Sequence, residues 1–344
     1  ARLCNTAACM ESLQSGTMLC SEGEHMKSLC IRNNNVGFIK KHKYAISAAI
    51  SWAWGTSIIA GPQIFHQKGF LVYLIWAVAN SAALPVFALI AEKLNILSEY
   101  SSSAVVRIVK IVVQSFCIMI QASAIKQANQ MVGLIPAKFI NMFLIAIMPI
   151  SCIWIMAKGF SQAVHNNLFQ AAIVAIGGTV IIIFSACTHK IEMIPAKYST
   201  QNIGWALWSM PVLFSGPIIS EEHWQRLAAA KAENERHTYL YAGIMFAFYM
   251  IFVGILACSK LSQTTGVILF IVVCAVAIST LDSAAAAMRN MVGRKWGTVF
   301  IIVSVILWFA FPNDVLQLWT TMGSIRAIFV IGMIVVCMRR KHEI

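Results

Sequence analysis

The sequence predicts an all-α integral membrane protein of about ten membrane-spanning helices, in two inverted repeats of five with the first and sixth helices broken. Three observations carry this expectation. Hydrophobic residues make up 59% of the 344-residue chain and charged residues only 11%, against about a quarter charged in a water-soluble domain. The apolar runs are about twenty residues long, enough to cross a bilayer as helix, and lack the period-2 alternation of barrel strands. Gly and Pro interrupt two of these runs, and the two runs hold equivalent positions in the two halves of the chain.

The expected spans run over about 44–65, 70–91, 104–127, 139–157, 168–187, 203–220, 240–258, 264–287, 297–311 and 315–338. Residues 41–344 form one transmembrane domain, its repeats covering about 44–187 and 203–338; residues 1–40 are expected to be a disordered tail. The net charge of +13 comes from basic residues between the apolar runs, which points to membrane topology and not to nucleic acid. With the N-terminus in the cytoplasm, nineteen of the 26 Lys and Arg fall inside, six fall outside and Arg326 lies within the last span. Both termini are therefore expected to be cytoplasmic. The cysteines show no metal-ligand spacing; Cys117, Cys152, Cys258, Cys274 and Cys337 read as small packing residues.

The first broken run reads Ser51-Trp52-Ala53-Trp54-Gly55-Thr56-Ser57-Ile58-Ile59-Ala60-Gly61-Pro62. The second contains Trp208-Ser209-Met210-Pro211 and Phe214-Ser215-Gly216-Pro217. A helix break frees carbonyls that can coordinate a cation and amides that can face a substrate. Ile50 and Ala53 are the candidate carbonyl donors. Trp52, Trp54, Gly55, Thr56, Ser57, Trp208, Phe214, Ser215 and Gly216 are the candidate substrate-binding residues. The plainer reading of the aromatics is packing or interface anchoring.

In the eighth span, Ser279, Asp282 and Ser283 share one helix face, with Thr280 beside them. Hydroxyl and carboxylate oxygens are hard ligands suited to an alkali cation. Asp282 is the one acidic residue well inside a span, a functional position by default. Its alternative is a structural ion pair with Arg326. The alternative for Ser279 and Thr280 is hydroxyls bonded back to the preceding turn. Glu221, Glu222, Arg226, Lys231, Glu233, Glu235 and Arg236 read as a solvated cytoplasmic loop, and His165 and His223 as rim residues.

These stretches resemble the sodium:solute symporter family. Ser51 to Gly69 resembles its first core helix. Gly159-Phe160-Ser161-Gln162-Ala163-Val164 followed by Gln170 resembles its G-G-x-x-A-V-x-x-T-D-x-x-Q entry into core helix five. Gln225-Arg226-Leu227-Ala228-Ala229-Ala230-Lys231 resembles the Q-R-x-L-A-A-K after core helix six. Ser279-Thr280-Leu281-Asp282-Ser283 resembles the S-T/S-L pattern of core helix eight. The resemblance covers roughly residues 44–338 and implies a divergent, shortened member. It departs from the family at Ser220-Glu221-Glu222-His223-Trp224, where an acidic residue or Asn and then Gln usually precede the QR pair.

The resemblance implies a sodium site at the carbonyls of Ile50, Ala53 and Val276 with the hydroxyls of Ser279 and Thr280. Some members hold a second sodium. The matching positions here are Asn167, in place of an Asp, with Asp282 and Ser283, which form a possible second cation or proton site. The expected function is sodium-coupled symport of a small organic solute by alternating access. The alternatives are a proton-coupled transporter using Asp282, or a non-transporting membrane sensor on the same scaffold. No catalytic constellation, P-loop, HExxH or GxSxG appears, so no enzyme is expected, nor any cofactor beyond a coupling sodium ion. The expected partners are a small solute, sodium and the lipid bilayer.

Overall fold

A computed structural model describes residues 42–91, 104–188, 199–230, 234–259, 262–310 and 314–342, all within helices or their short connections. The expected disordered tail, residues 1–40, lies outside the described residues. The helices are α1 (Lys43–Trp52), α2 (Gly55–Lys68), α3 (Phe70–Ala91), α4 (Ala104–Val132), α5 (Ala137–Lys158), α6 (Phe160–Thr188), α7 (Thr200–Ile219), α8 (Glu221–Ala230), α9 (Glu235–Ala257), α10 (Gln263–Ala310) and α11 (Val315–His342). No strand occurs among the described residues. Seven of the described helices are long and apolar enough to cross a membrane, or eight segments if the bent pair α7–α8 is one span. The 22 residues of α3 rise about 33 Å at 1.5 Å each, against a hydrocarbon core of about 30 Å.

The exterior is as apolar as the interior. Ile150 on α5, Phe169 and Ile176 on α6 and Phe248 on α9 are all exposed, as water would disfavour and lipid tails would welcome. Together with the span lengths this defines an all-α integral membrane protein.

Glycine handles two of the turns between helices. Gly69 (φ 99°) and Gly159 (φ 88°) let α2 pass directly into α3 and α5 into α6 in a conformation an L side chain resists. Gly293 (φ 77°, ψ 170°) likewise interrupts the 48 residues of α10.

The breaks differ from the expected ones in place. α2 runs on through Gly61-Pro62, and the first break falls earlier, at Ala53 and Trp54. α7 runs through both Pro211 and Pro217; the chain leaves the helix only at Ser220 (ψ 113°), where α8 turns off by 62°. A proline ring loses only one helical bond, and neighbouring helices can absorb that loss. α10 sits centrally, packed on α4, α5, α6 and the short α1, while α3 packs on α7 and α9.

Candidate functional site at the helix breaks

The first break is held open by side chains from two other helices. Trp54 N–H donates to Trp52 O at 2.8 Å, and Ser57 N–H donates to Trp54 O at 2.8 Å. Both amides are thereby taken from Ile50 O and Ala53 O, their partners in a continuous helix. Gly55 N–H donates to Gln121 Oε1 of α4 at 3.0 Å, and Tyr249 Oη of α9 donates to Trp54 O at 3.2 Å. Buried backbone groups need such partners, so Gln121 and Tyr249 substitute for the missing helical bonds.

Thr280 of α10 reaches this break. Its Oγ1 lies 3.3 Å from Ser51 O and 3.2 Å from Val276 O, bridging the last turn of α1 to α10. The Val276 contact is also the back-bond expected of a hydroxyl in a membrane helix. Thr280 and Val276 are thus beside the freed carbonyls. Ser279 turns toward α6, its Oγ 2.9 Å from the Asn167 amide.

The residues matching a second cation site divide between two clusters. Arg226 of α8 is fully buried and donates from Nε to Ser47 Oγ (3.0 Å), from Nη2 to Ser283 Oγ (2.7 Å) and from Nη1 to Glu222 O (2.9 Å). Asn167 fits with its amide oxygen toward Arg226 Nη2 at 2.9 Å and its nitrogen toward Ser279 Oγ at 2.9 Å. Ser47, Asn167, Ser279, Ser283 and Arg226 thereby form one network joining α1, α6, α8 and α10. Asp282 faces the other way along α6, accepting from Asn166 Nδ2 at 2.9 Å and Gln170 Nε2 at 3.4 Å. The expected Asp282–Arg326 ion pair does not form. Among the described residues the ion pairs are Lys110–Glu221 at 2.7 Å and His223–Glu222 at 3.7 Å.

Glu222, His223 and Arg226 are buried, so the solvated loop and rim expected there are corrected to a packed helix. α8 folds back under α7, and its start is pinned by Lys110 and by Asn290, which donates to Glu221 Oε1 at 3.0 Å. Trp224 Nε1 donates to Ile218 O at 2.7 Å across the bend. His223 sits edge-on to Trp52, with ring centroids 5.4 Å apart. Of the expected rim residues, His165 is exposed.

Next to the first break, a cavity enclosing about 250 Å³ of empty space is lined by Trp52, Trp54 and Trp319, by Ser57, Asn80 and Leu213, and by Arg326. Arg326 is buried near the middle of α11. Its Nε donates to Ser215 Oγ at 3.2 Å and its Nη2 to Val212 O at 2.6 Å, while Nη1 has no partner. Trp52 Nε1 donates to Asn80 O at 3.1 Å, and Trp54 Nε1 is buried without a partner.

Of the candidate substrate residues, Trp52, Trp54 and Ser57 line this cavity. Ser215 anchors Arg326, and Gly216 is the point where Trp52 and Arg326 press against α7. Thr56 is buried nearby with its hydroxyl unpartnered, and Gly55 packs against Gln121, Ala124 and Ala277. Trp208 and Phe214 are not part of the lining: Trp208 is exposed and bonds Ser324 at 3.2 Å, and Phe214 is half-buried. Sequence reasoning missed Asn80, Trp319 and the role of Arg326; an arginine in mid-span was the signal available for the last.

Compared with known proteins, the chain matches no family model and no curated sequence.

Proposed function

We propose that the protein is a sodium-coupled secondary transporter of a small organic solute, a divergent relative of the sodium:solute symporters. The observation that carries this reading is the break at Ala53–Trp54, with the Ile50 and Ala53 carbonyls released from their helical amides and Thr280 bridging to the same turn. In this reading sodium replaces the Thr280 bridge, drawing on those carbonyls, Val276 O and the hydroxyls of Ser279 and Thr280. Oxygen-only donors of this kind suit a hard cation.

The reading counts ten spans in two inverted repeats, with both termini cytoplasmic. Gly293 divides α10 into two spans, α1 and α2 make the broken first span, and α7 and α8 the broken sixth. It assigns one coupling sodium, because the guanidinium of Arg226 is already bonded to Ser283 and Asn167, two of the three residues matching a second site. Sodium would bias alternating access to the extent that its affinity differs between the two states. The test is saturable binding of radioactive sodium to the purified protein, competed by unlabelled sodium but not by potassium. Binding lost in Thr280→Val supports the assignment. Binding unchanged in that variant, or equal competition by potassium, overturns it.

A proton-coupled transporter is the second reading, favoured by one observation. Asp282 is buried, held by two neutral amides, and has no ion-pair partner among the described residues. Its signature would be uptake driven by a pH gradient without sodium and lost in Asp282→Asn.

A further inference from the structure

We infer that the cavity beside the first break binds a small organic carboxylate, with Arg326 as the residue that receives the charged end. This rests on the transporter reading only for the direction of movement; the binding itself is a property of the cavity.

Three features point to that ligand. First, Arg326 is built as a receptor. Ser215 Oγ and Val212 O fix two of its three nitrogens, and the third, Nη1, is buried without a partner in a side chain that lines the cavity. A buried guanidinium is costly unless its charge and its donors are matched. No carboxylate forms an ion pair with Arg326 among the described residues, where the two pairs present are Lys110–Glu221 and His223–Glu222. The second feature is the sign of what is left over. The unpartnered polar atoms on the described lining are Arg326 Nη1 and Trp54 Nε1, and both are donors. A ligand completing them must bring acceptors, and a planar carboxylate is the group whose geometry matches a guanidinium fork.

Third, charge and size restrict the rest of the molecule. Arg326 is the one basic side chain on the lining, so a singly charged group balances it where a dianionic phosphate would not. About 250 Å³ is below the usual range of roughly 300–1,000 Å³ for ligand clefts, which limits the body to a few heavy atoms. The walls meeting that body are the rings of Trp52, Trp54 and Trp319, apolar faces suited to a short alkyl chain or a single ring.

The test uses the full chain purified in detergent. Tryptophan fluorescence and the thermal midpoint are recorded against acetate, propionate and benzoate, and against acetamide, propionamide and benzamide. Sodium and ionic strength are held constant with chloride salts, and chloride is tested in turn by exchange for sulfate. The carboxylates should bind about tenfold or more tightly than their amides, and Arg326→Gln should remove that preference. Should Arg326→Gln fail to fold, Arg326→Lys and Trp54→Phe serve instead; each keeps size and should weaken carboxylate binding with the amides unaffected. Amides binding as well as carboxylates would overturn the inference. So would chloride stabilising the protein as strongly as any carboxylate, since the site would then take a bare anion. Sodium binding that persists and still depends on Thr280, with no carboxylate preference, would sink this inference and leave the transporter reading standing.

Discussion

Gly216→Ala offers a direct test of how the cavity wall is built. A Cβ added at Gly216 would overlap the Trp52 ring at Cη2, lie 2.8 Å from its Cζ3 and come within 3.2 Å of Arg326 Nη2. Carbon pairs are comfortable at about 3.5–4.0 Å, so the ring would have to retreat by on the order of 1 Å. It has little freedom to do so. Its Nε1 is held by Asn80 O at 3.1 Å, and it packs edge-on against His223 at 5.4 Å and Trp54 at 6.2 Å. Overpacking of this kind costs about 1–3 kcal/mol. The Gly-to-Ala gain in helix propensity, about 1 kcal/mol, offsets part of it. Gly204→Ala supplies the control: it lies on the same helix, and a Cβ there meets nothing within 4 Å. The propensity gain is common to both variants, so Gly216→Ala should be less stable than Gly204→Ala by about the whole overpacking cost. Thermal unfolding in detergent, followed by tryptophan fluorescence, measures the difference. Equal midpoints for the two variants would show that Trp52 is not pinned and that the wall is not as described.

Other substitutions probe the rest of the site. Gln121→Leu leaves Gly55 N–H without its acceptor and should cost about 1–3 kcal/mol in thermal stability, the penalty of an unpaired buried donor. Arg226→Met strips the donor from Ser47 Oγ, Ser283 Oγ and Glu222 O, and should destabilise by on the order of 3 kcal/mol, with Arg226→Lys recovering only part. Asp282→Asn keeps its contacts with Asn166 and Gln170 sterically possible; if sodium alone couples transport, sodium-stimulated uptake should persist in this variant across pH. Loss of uptake in Asp282→Asn would move the coupling role to the carboxylate.

Much of the architecture could be read from composition and periodicity, because lipid leaves the backbone so few options. The apolar runs fall on the helices, and the Trp-rich stretch from Ser51 to Ser57 does contain a break. The positions of the breaks were less legible. Pro62, Pro211 and Pro217 all lie inside helices, whereas Ala53, Trp54 and Ser220 carry the breaks without any residue that demands one. Tertiary partners decide there: Gln121 and Tyr249 come from distant helices, and no local pattern announces them. The stretch from Glu221 to Ala230 misled for a related reason. Two acids, a histidine and an arginine resemble a solvated loop, but Glu222, His223 and Arg226 occupy one buried face of an amphipathic helix turned back into the bundle. Arg326 was visible as an unusual charge in a span. Its role depends on Ser215 and Val212, more than a hundred residues away in sequence.

The central claim is that the first break and Thr280 form a sodium site. It is tested most directly by the thermal midpoint of the purified protein in sodium against potassium at equal ionic strength. A ligand held only by the folded state stabilises by about 2.7 kcal/mol at a hundredfold excess over Kd. The account predicts a sodium-specific rise that is reduced in Ser279→Ala and Thr280→Val. Identical midpoints in the two salts, or a rise that survives both substitutions, would contradict it.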